Sequence, residues 1–176
     1  MTDHFFQDDQ SMASHGYMVI EGKIQGLISE GCSTVVSIGN KCQTEHKDEI
    51  MVLSFDHNMN TLGNTKYAHH NPIIISKFID KSSPLLARAV ATREELTCTI
   101  NFYRNAGPVG QEKYYSVEIE GAQIADLTVS MPHSILQNDV EPQETVAIRY
   151  QNITWRNHAT NTSGIPPGKA RNDTRQ

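Results

Sequence analysis

An all-β sandwich or barrel carrying one short α-helix is the fold this sequence predicts, and three observations point to it. Short segments rich in Val, Ile, Tyr and Phe recur at fairly regular intervals, separated by Gly, Asn and Pro. Cys98, Ile100 and Phe102 alternate with Thr97, Thr99 and Asn101, the period of a strand with one buried face. One stretch stands apart: behind Ser83 and Pro84, residues Leu85, Leu86, Ala89 and Val90 repeat at helical spacing.

The elements follow in chain order. Residues 17–21 open the β body, and residues 49–57 form the next strand after a long polar connection. Residues 72–79 begin at Pro72, a strand position where the missing N–H is tolerated. Apolar groups in this strand point both ways, with Ile73, Ile75 and Ile79 on one side and Ile74 and Phe78 on the other, so its second face needs a cover. The helix starts with Ser83 as cap and Pro84 in its first position, and ends near Thr92. Strands over 97–104, 112–120, 122–130 and 144–156 complete the body. In the last, Val146, Ile148 and Tyr150 have the opposite parity to Ile153 and Trp155, which predicts a bulge near Gln151 and Asn152.

The connection 22–48 is long for a compact domain yet contains Leu27, Ile28, Val35, Val36 and Ile38. It predicts either another strand or an arm that docks elsewhere, or both: a strand at 33–38 and then a projecting loop at 39–47. The ends differ from the body. Residues 1–15 are polar and aperiodic and read as a flexible arm; residues 159–176, with Pro166, Pro167 and Gly168 among polar groups, read as a tail unable to offset its ordering entropy. The domain therefore spans 16–158.

Composition narrows the function. A net charge of −5 with scattered Lys and Arg argues against a nucleic-acid partner. The longest aliphatic run is Ile73-Ile74-Ile75, far short of the roughly 18 apolar residues of a membrane span. Met1 to Gln10 carry Asp3, Asp8 and Asp9 and lack a signal peptide's basic start and apolar core. Cys32, Cys42 and Cys98 are read as free thiols of a reducing compartment, and the three Asn-x-Ser/Thr sites as chance matches.

Eight histidines include no helical His-x-x-x-His pair, and no Gly-x-Ser-x-Gly elbow or phosphate-cradling glycine loop is present. The run from Glu45 through His46, Lys47, Asp48 and Glu49 is a solvated turn before a strand rather than an acid–base set. No cofactor, metal site or catalytic residue is assigned. Two alternatives are kept: a small β-barrel enzyme or secreted toxin, for which His70 is the metal candidate, and a carbohydrate-binding β-sandwich using Tyr114, Tyr115 and Trp155.

Several segments together carry a resemblance: Tyr17-Met-Val-Ile-Glu-Gly22, Gly26, His46-Lys-Asp-Glu-Ile50, His70-x-Pro72 leading through Lys77-Phe-Ile-Asp80 into Ser83-Pro-Leu85, then Phe102-Tyr-Arg104, Tyr114-Tyr115 and Tyr150-x-x-Ile153-x-Trp155. In this order they resemble the Hcp family, haemolysin-coregulated proteins that form the inner tube of the bacterial type VI secretion system. The likeness covers about residues 17–157 and is most specific over 70–85. It implies a β-barrel of two packed sheets with one short α-helix, closing into a hexameric ring whose copies stack into a tube. It implies as partners other copies of the chain, a spike protein, a contractile sheath and small effector proteins in the lumen, with no nucleic acid and no membrane. It also implies assembly in the bacterial cytoplasm, then export without a signal peptide.

By the same resemblance, the loop formed by Gly39, Asn40, Lys41, Gln43, Thr44, Glu45, His46 and Lys47 reaches the adjacent ring. Ser54 and Asp56 line the lumen, opposite Met51, Leu53 and Phe55, which face the core. His70, Pro72, Lys77, Asp80, Ser83, Pro84 and Trp155 are structural motif residues. Two departures stand out: Thr92-Arg93 replaces a Ser-Gly-like pair, so the helix end lacks a residue suited to positive φ, and the N-terminal extension is unusual.

Overall fold

The computed structural model of the chain describes residues 14–167. The expected arm, apart from its last two residues, and the last part of the expected tail fall outside that range. The described residues form eleven strands: β1 (His15–Gly22), β2 (Gly26–Leu27), β3 (Ile50–Asp56), β4 (Met59–Asn60), β5 (His69–His70), β6 (Ile73–Phe78), β7 (Leu96–Asn105), β8 (Gln111–Ser130), β9 (Gln143–Arg149), β10 (Asn152–Asn157) and β11 (Thr162–Gly164). One full helix, α2 (Ser83–Thr92), joins a single helical turn, α1 (Val35–Ile38). None of the described helices is long and apolar enough to cross a membrane.

The hydrogen-bonded order β8-β7-β1-β3-β6-β9 closes on itself through β8–β9 pairing, giving a barrel with every neighbouring pair antiparallel. Closure depends on β8. Its first half pairs with β7 and β10, its second half with β9, so one long strand belongs to both packed sheets. Gly121, at φ +57°, bends it at the crossover without breaking it. The sequence predicts two strands here because glycine there looks like a turn.

Inward positions of all six barrel strands supply the core, including Ile20, Ile50, Ile75, Ile100, Ile119 and Ile148, each fully buried. Each such side chain contributes about 1.5–3 kcal/mol on leaving water. Helix α2 packs Leu86 and Ala89 against this core, with Leu85 and Val90 at its margin.

Several expectations are corrected. Residues 33–38 form no strand: the N–H groups of Ser37 and Ile38 both return to the Thr34 carbonyl, closing a turn that leaves Val36 exposed and buries Ile38. The phase conflict after Tyr150 is resolved by a break rather than a bulge, with β9 ending at Arg149 and β10 starting at Asn152. In β3 the buried pair is Ile50 and Val52, not Met51 and Leu53. A register shift between Val52 and Ser54 then brings Phe55 to the core margin and leaves Leu53 and Ser54 exposed.

Ile79 lies beyond β6 and is exposed, and Lys77 takes the inward position instead. Helix α2 is preceded by Ser82, not capped by the Ser83 side chain. Its end does contain a left-handed residue: Arg93 adopts φ 52°, ψ 40°. In the expected tail, Thr162–Gly164 pair with β10 as an edge strand, because backbone hydrogen bonds there do not need an apolar side chain. At the other end, His15 already pairs with Tyr103, so β1 begins inside the expected arm.

Candidate assembly surfaces

Of the motif residues, His70, Lys77 and Asp80 are buried, Pro72, Ser83 and Trp155 are partly buried, and Pro84 is exposed. Lys77 is fully buried, and its Nζ donates to Glu144 Oε2 at 2.5 Å, to the Phe78 carbonyl at 2.8 Å and to Ser83 Oγ at 3.3 Å, and lies 3.1 Å from Asp80 Oδ1. Glu144 is its cross-strand partner in β9. Ser83 Oγ accepts the Asp80 N–H and donates to Glu144 Oε2, while Asp80 Oδ1 accepts from the Ser82 N–H and hydroxyl. The cluster thus ties the barrel wall to the start of α2, where the helix dipole favours its carboxylates.

His70 belongs to a second interior cluster. Its Nδ1 lies 2.9 Å from Tyr150 Oη, and His57 Nε2 lies 2.6 Å from the same oxygen. Trp155 lies nearly parallel to both imidazoles. Burial first, then the neighbouring His70, lowers the pKa of His57; burial first, then His69, lowers that of His70; burial pushes the Tyr150 phenol far up. Pro72 follows this cluster and precedes β6, and Pro84 occupies the first turn of α2, as their fixed φ suits.

The loop 39–47 is held at both ends. Lys41 Nζ reaches Glu141 at 2.7 Å and sits 5.0 Å from the centre of the Phe78 ring. At the other end His46 turns inward and stacks on Tyr17, with centroids 3.7 Å apart and planes at 11°, while its Nδ1 meets Glu49 Oε1 at 3.1 Å. Tyr103 closes on both rings edge-on. Burial, and then the Glu49 charge, pushes the Tyr17 phenol up to about 12. Gly39, Asn40, Gln43, Thr44, Glu45 and Lys47 remain exposed between and beside these anchors. The run 45–49 is therefore not wholly a solvated turn: His46 is buried on Tyr17 while Glu45, Lys47 and Asp48 are exposed, a difference the sequence pattern does not mark.

Ser54 and Asp56 are exposed on the outer face of β3. Cross-strand register extends each into a row: Ser54, Ser76, Thr145 and Thr128 across four strands, and beside it Asp56, Ile74, Ala147 and Asp126. The side chains in these rows are short and mostly uncharged. The outer face of the other sheet carries Glu118, Thr154 and Arg156, with Arg156 and Glu118 paired at 3.3 Å.

A third region lies where α1, the end of β6 and the start of β9 meet. A cavity of about 280 Å³ is lined by Ser37, Ile38, Lys41, Phe78, Ile79, Glu141 and Pro142. The adjoining β8–β9 connection, residues 131–142, holds Met131, Ile135 and Leu136, each at least 77% exposed.

Catalytic geometry is weak among the described residues. Among the described residues no three His, Cys, Asp or Glu side chains converge as metal ligands. Ser116 Oγ lies 2.9 Å from His158 Nε2, but Ser116 is 1% exposed and beyond the reach of a substrate. The three aromatic candidates are engaged separately: Tyr114 lies under Arg104, Tyr115 packs on Phe102, and Trp155 stacks beside the two histidines.

Known proteins resemble the chain along most of its length. The sequence profile described as "Type VI secretion system effector, Hcp" matches residues 17–156. The chain is similar to the major exported protein of Pseudomonas aeruginosa, 35% identical over 167 residues that cover 87% of this chain and 94% of that one. A structure described as the crystal structure of Hcp protein superposes with a TM-score of 0.83 at 30% identity, covering 90% of this chain and 99% of that chain. The secreted protein Hcp3 from Pseudomonas aeruginosa superposes with a TM-score of 0.76 at 36% identity, covering 87% and 97%.

Proposed function

The chain belongs to the Hcp family and is a structural subunit of the type VI secretion system, and from this we propose that it forms hexameric rings that stack into the exported inner tube. The observation that carries this reading further is the difference between its two outer sheet faces. The face built on Ser54, Ser76, Thr145 and Thr128 carries short neutral side chains across four strands. A wall of that kind lets a cargo protein slide or rest without locking it in place, and we assign this face, with Asp56 and Asp126 beside it, to the lumen.

The loop 39–47 serves ring stacking in this reading. It is anchored by Lys41 and His46, which fixes its direction, while Gln43, Thr44 and Glu45 stay available to the next ring. Stacking is a heterologous contact that does not close, so tube length is set by other components, the spike and the sheath. Small effector proteins are the cargo.

Negative-stain imaging of the purified protein, with mass measurement in solution, tests the reading. Rings of uniform diameter are expected; compact monomers alone at high concentration would sink it. For the lumen assignment, Ser76→Cys should react freely with a small maleimide in assembled rings. It should be shielded from a maleimide carried on a protein too large for the tube, and equal reaction with both reagents contradicts the assignment.

A further inference from the structure

The β8–β9 connection and the cavity beside it have matching chemistry, although in this chain neither fills the other. His133 organises the connection: its Nδ1 accepts the N–H groups of Ile135 and Leu136 at 3.3 and 3.2 Å, and its carbonyl accepts the Gln137 N–H at 2.8 Å. The resulting turn presents Ile135 and Leu136, each 79% exposed, as adjacent aliphatic side chains. Holding them in place before contact reduces the ordering cost of binding.

The cavity offers the complement. Ile38, Phe78, Ile79 and Pro142 give it apolar lining, and Glu141 and Lys41, whose ammonium lies 5.0 Å from the centre of the Phe78 ring, give it charge. Open to solvent, it has a volume of about 280 Å³, more than the roughly 150 Å³ of an engineered apolar cavity that accepts benzene, which is room on the scale of two aliphatic side chains. Charge agrees as well. Lys41 is one-third exposed and gives one of its donors to Glu141, and Asp139, three residues beyond Leu136, is exposed on the turn.

We infer that the turn 133–139 of one copy seats Ile135 and Leu136 in the Ile38–Phe78–Ile79 cavity of the next copy, with Asp139 meeting Lys41. The inference rests on the self-assembly reading and deepens it by naming the two halves of a contact. The halves differ, so the contact is head-to-tail, the kind that closes a ring when its rotation permits. A second copy is the occupant because the chain itself carries a knob of the required shape, size and charge. A neighbour seated there would also cover Ile135 and Leu136, which are adjacent and both exposed in the single copy.

The test uses two variants of the full chain. Ile135→Asp with Leu136→Asp removes the knob, and Ile79→Glu blocks the cavity; both alter exposed side chains, and Ile79→Thr is the milder substitute if Ile79→Glu does not reach the wild-type circular dichroism. Sedimentation velocity should find the wild type as a closed oligomer and each variant alone as monomer. An equimolar mixture should contain a dimer and nothing larger, because one knob and one cavity remain compatible and the others are dead. If either variant alone keeps the wild-type mass, or the mixture stays monomeric up to the concentration at which wild type assembles, the assigned contact is wrong although self-assembly stands. A monomeric wild type removes both.

Discussion

Replacing Lys77 with methionine isolates the cluster that joins the barrel wall to α2. Methionine keeps much of the length and apolar character of the lysine stem and removes the ammonium. Lys77 has no exposed side-chain surface, and the side chains of Asp80 and Glu144 are only 4% and 3% exposed, so two carboxylates lose their common cation without gaining water. Breaking a buried ion pair by removing one partner costs about 3–5 kcal/mol. That is a large fraction of the roughly 5–15 kcal/mol that holds a domain together. Urea unfolding at neutral pH and 25 °C, followed by circular dichroism, measures the loss. A companion variant, Lys77→Met with Glu144→Met and Asp80→Asn, removes all the charges while leaving an oxygen to accept from Ser82. It should recover most of the lost stability, because whole buried pairs can often be replaced at little cost. A loss below about 1 kcal/mol for Lys77→Met, or a companion variant weaker than Lys77→Met itself, refutes the argument that the cluster acts through mutual neutralisation.

Arg93→Gly should raise stability by up to about 1 kcal/mol, since a non-glycine residue held left-handed costs roughly 1–2 kcal/mol and glycine's own entropy offsets part of the gain; a melting temperature that fails to rise by about 2 °C or more argues otherwise. Gly121→Ala should cost about 1–2 kcal/mol, because φ is +57° and the added Cβ meets the Gln151 side chain at 3.0 Å; an unchanged urea midpoint contradicts this. His57 and His70 have folded-state pKa values below the ordinary 6.5, so their contribution is present above that pH and is lost as pH falls from it through the folded values. Melting temperature should therefore drop between pH 7.5 and 5, and less steeply in His57→Gln with His70→Gln. Equal slopes in the two proteins place the acid sensitivity elsewhere.

The barrel was legible because its strands bury one face and alternate accordingly, as in the run from Cys98 to Phe102. What escaped reading was non-local. A glycine at position 121 looks the same in sequence whether it ends a strand or bends one, and only the register of β9 on β8 settles that it bends. Lys77 was legible as a motif residue but not as a buried one. The available signal was parity: Lys77 follows Ile73 and Ile75 on the inward side, and Glu144 precedes Val146 and Ile148 on the inward side of its own strand. Opposite charges at two inward positions imply a pair. The cavity and the turn 133–139 have no periodicity at all, since their order comes from one histidine accepting two N–H groups and from three distant segments meeting.

These placements divide the chain by role. The residues that carry the family likeness, Lys77, Asp80, Ser83, His70 and Trp155, face one another inside or at the margin of the fold. The residues available to a neighbouring copy are on the surface: Ile135, Leu136 and Asp139 lie outside that motif, and Ile79 is the exposed member of its Lys77–Asp80 segment. Stability and association should therefore respond to different substitutions. Lys77→Met should lower the urea midpoint while the protein that remains folded keeps its oligomeric mass. Ile135→Asp with Leu136→Asp should abolish the oligomer. Any change it makes in stability should be no larger than what subunit association itself supplies, because the side chains it alters are already in water within the single copy. If both variants lose mass and midpoint together at concentrations where the wild-type monomer is also compared, folding and assembly are a single step. In that case the barrel depends on its neighbours for more than position.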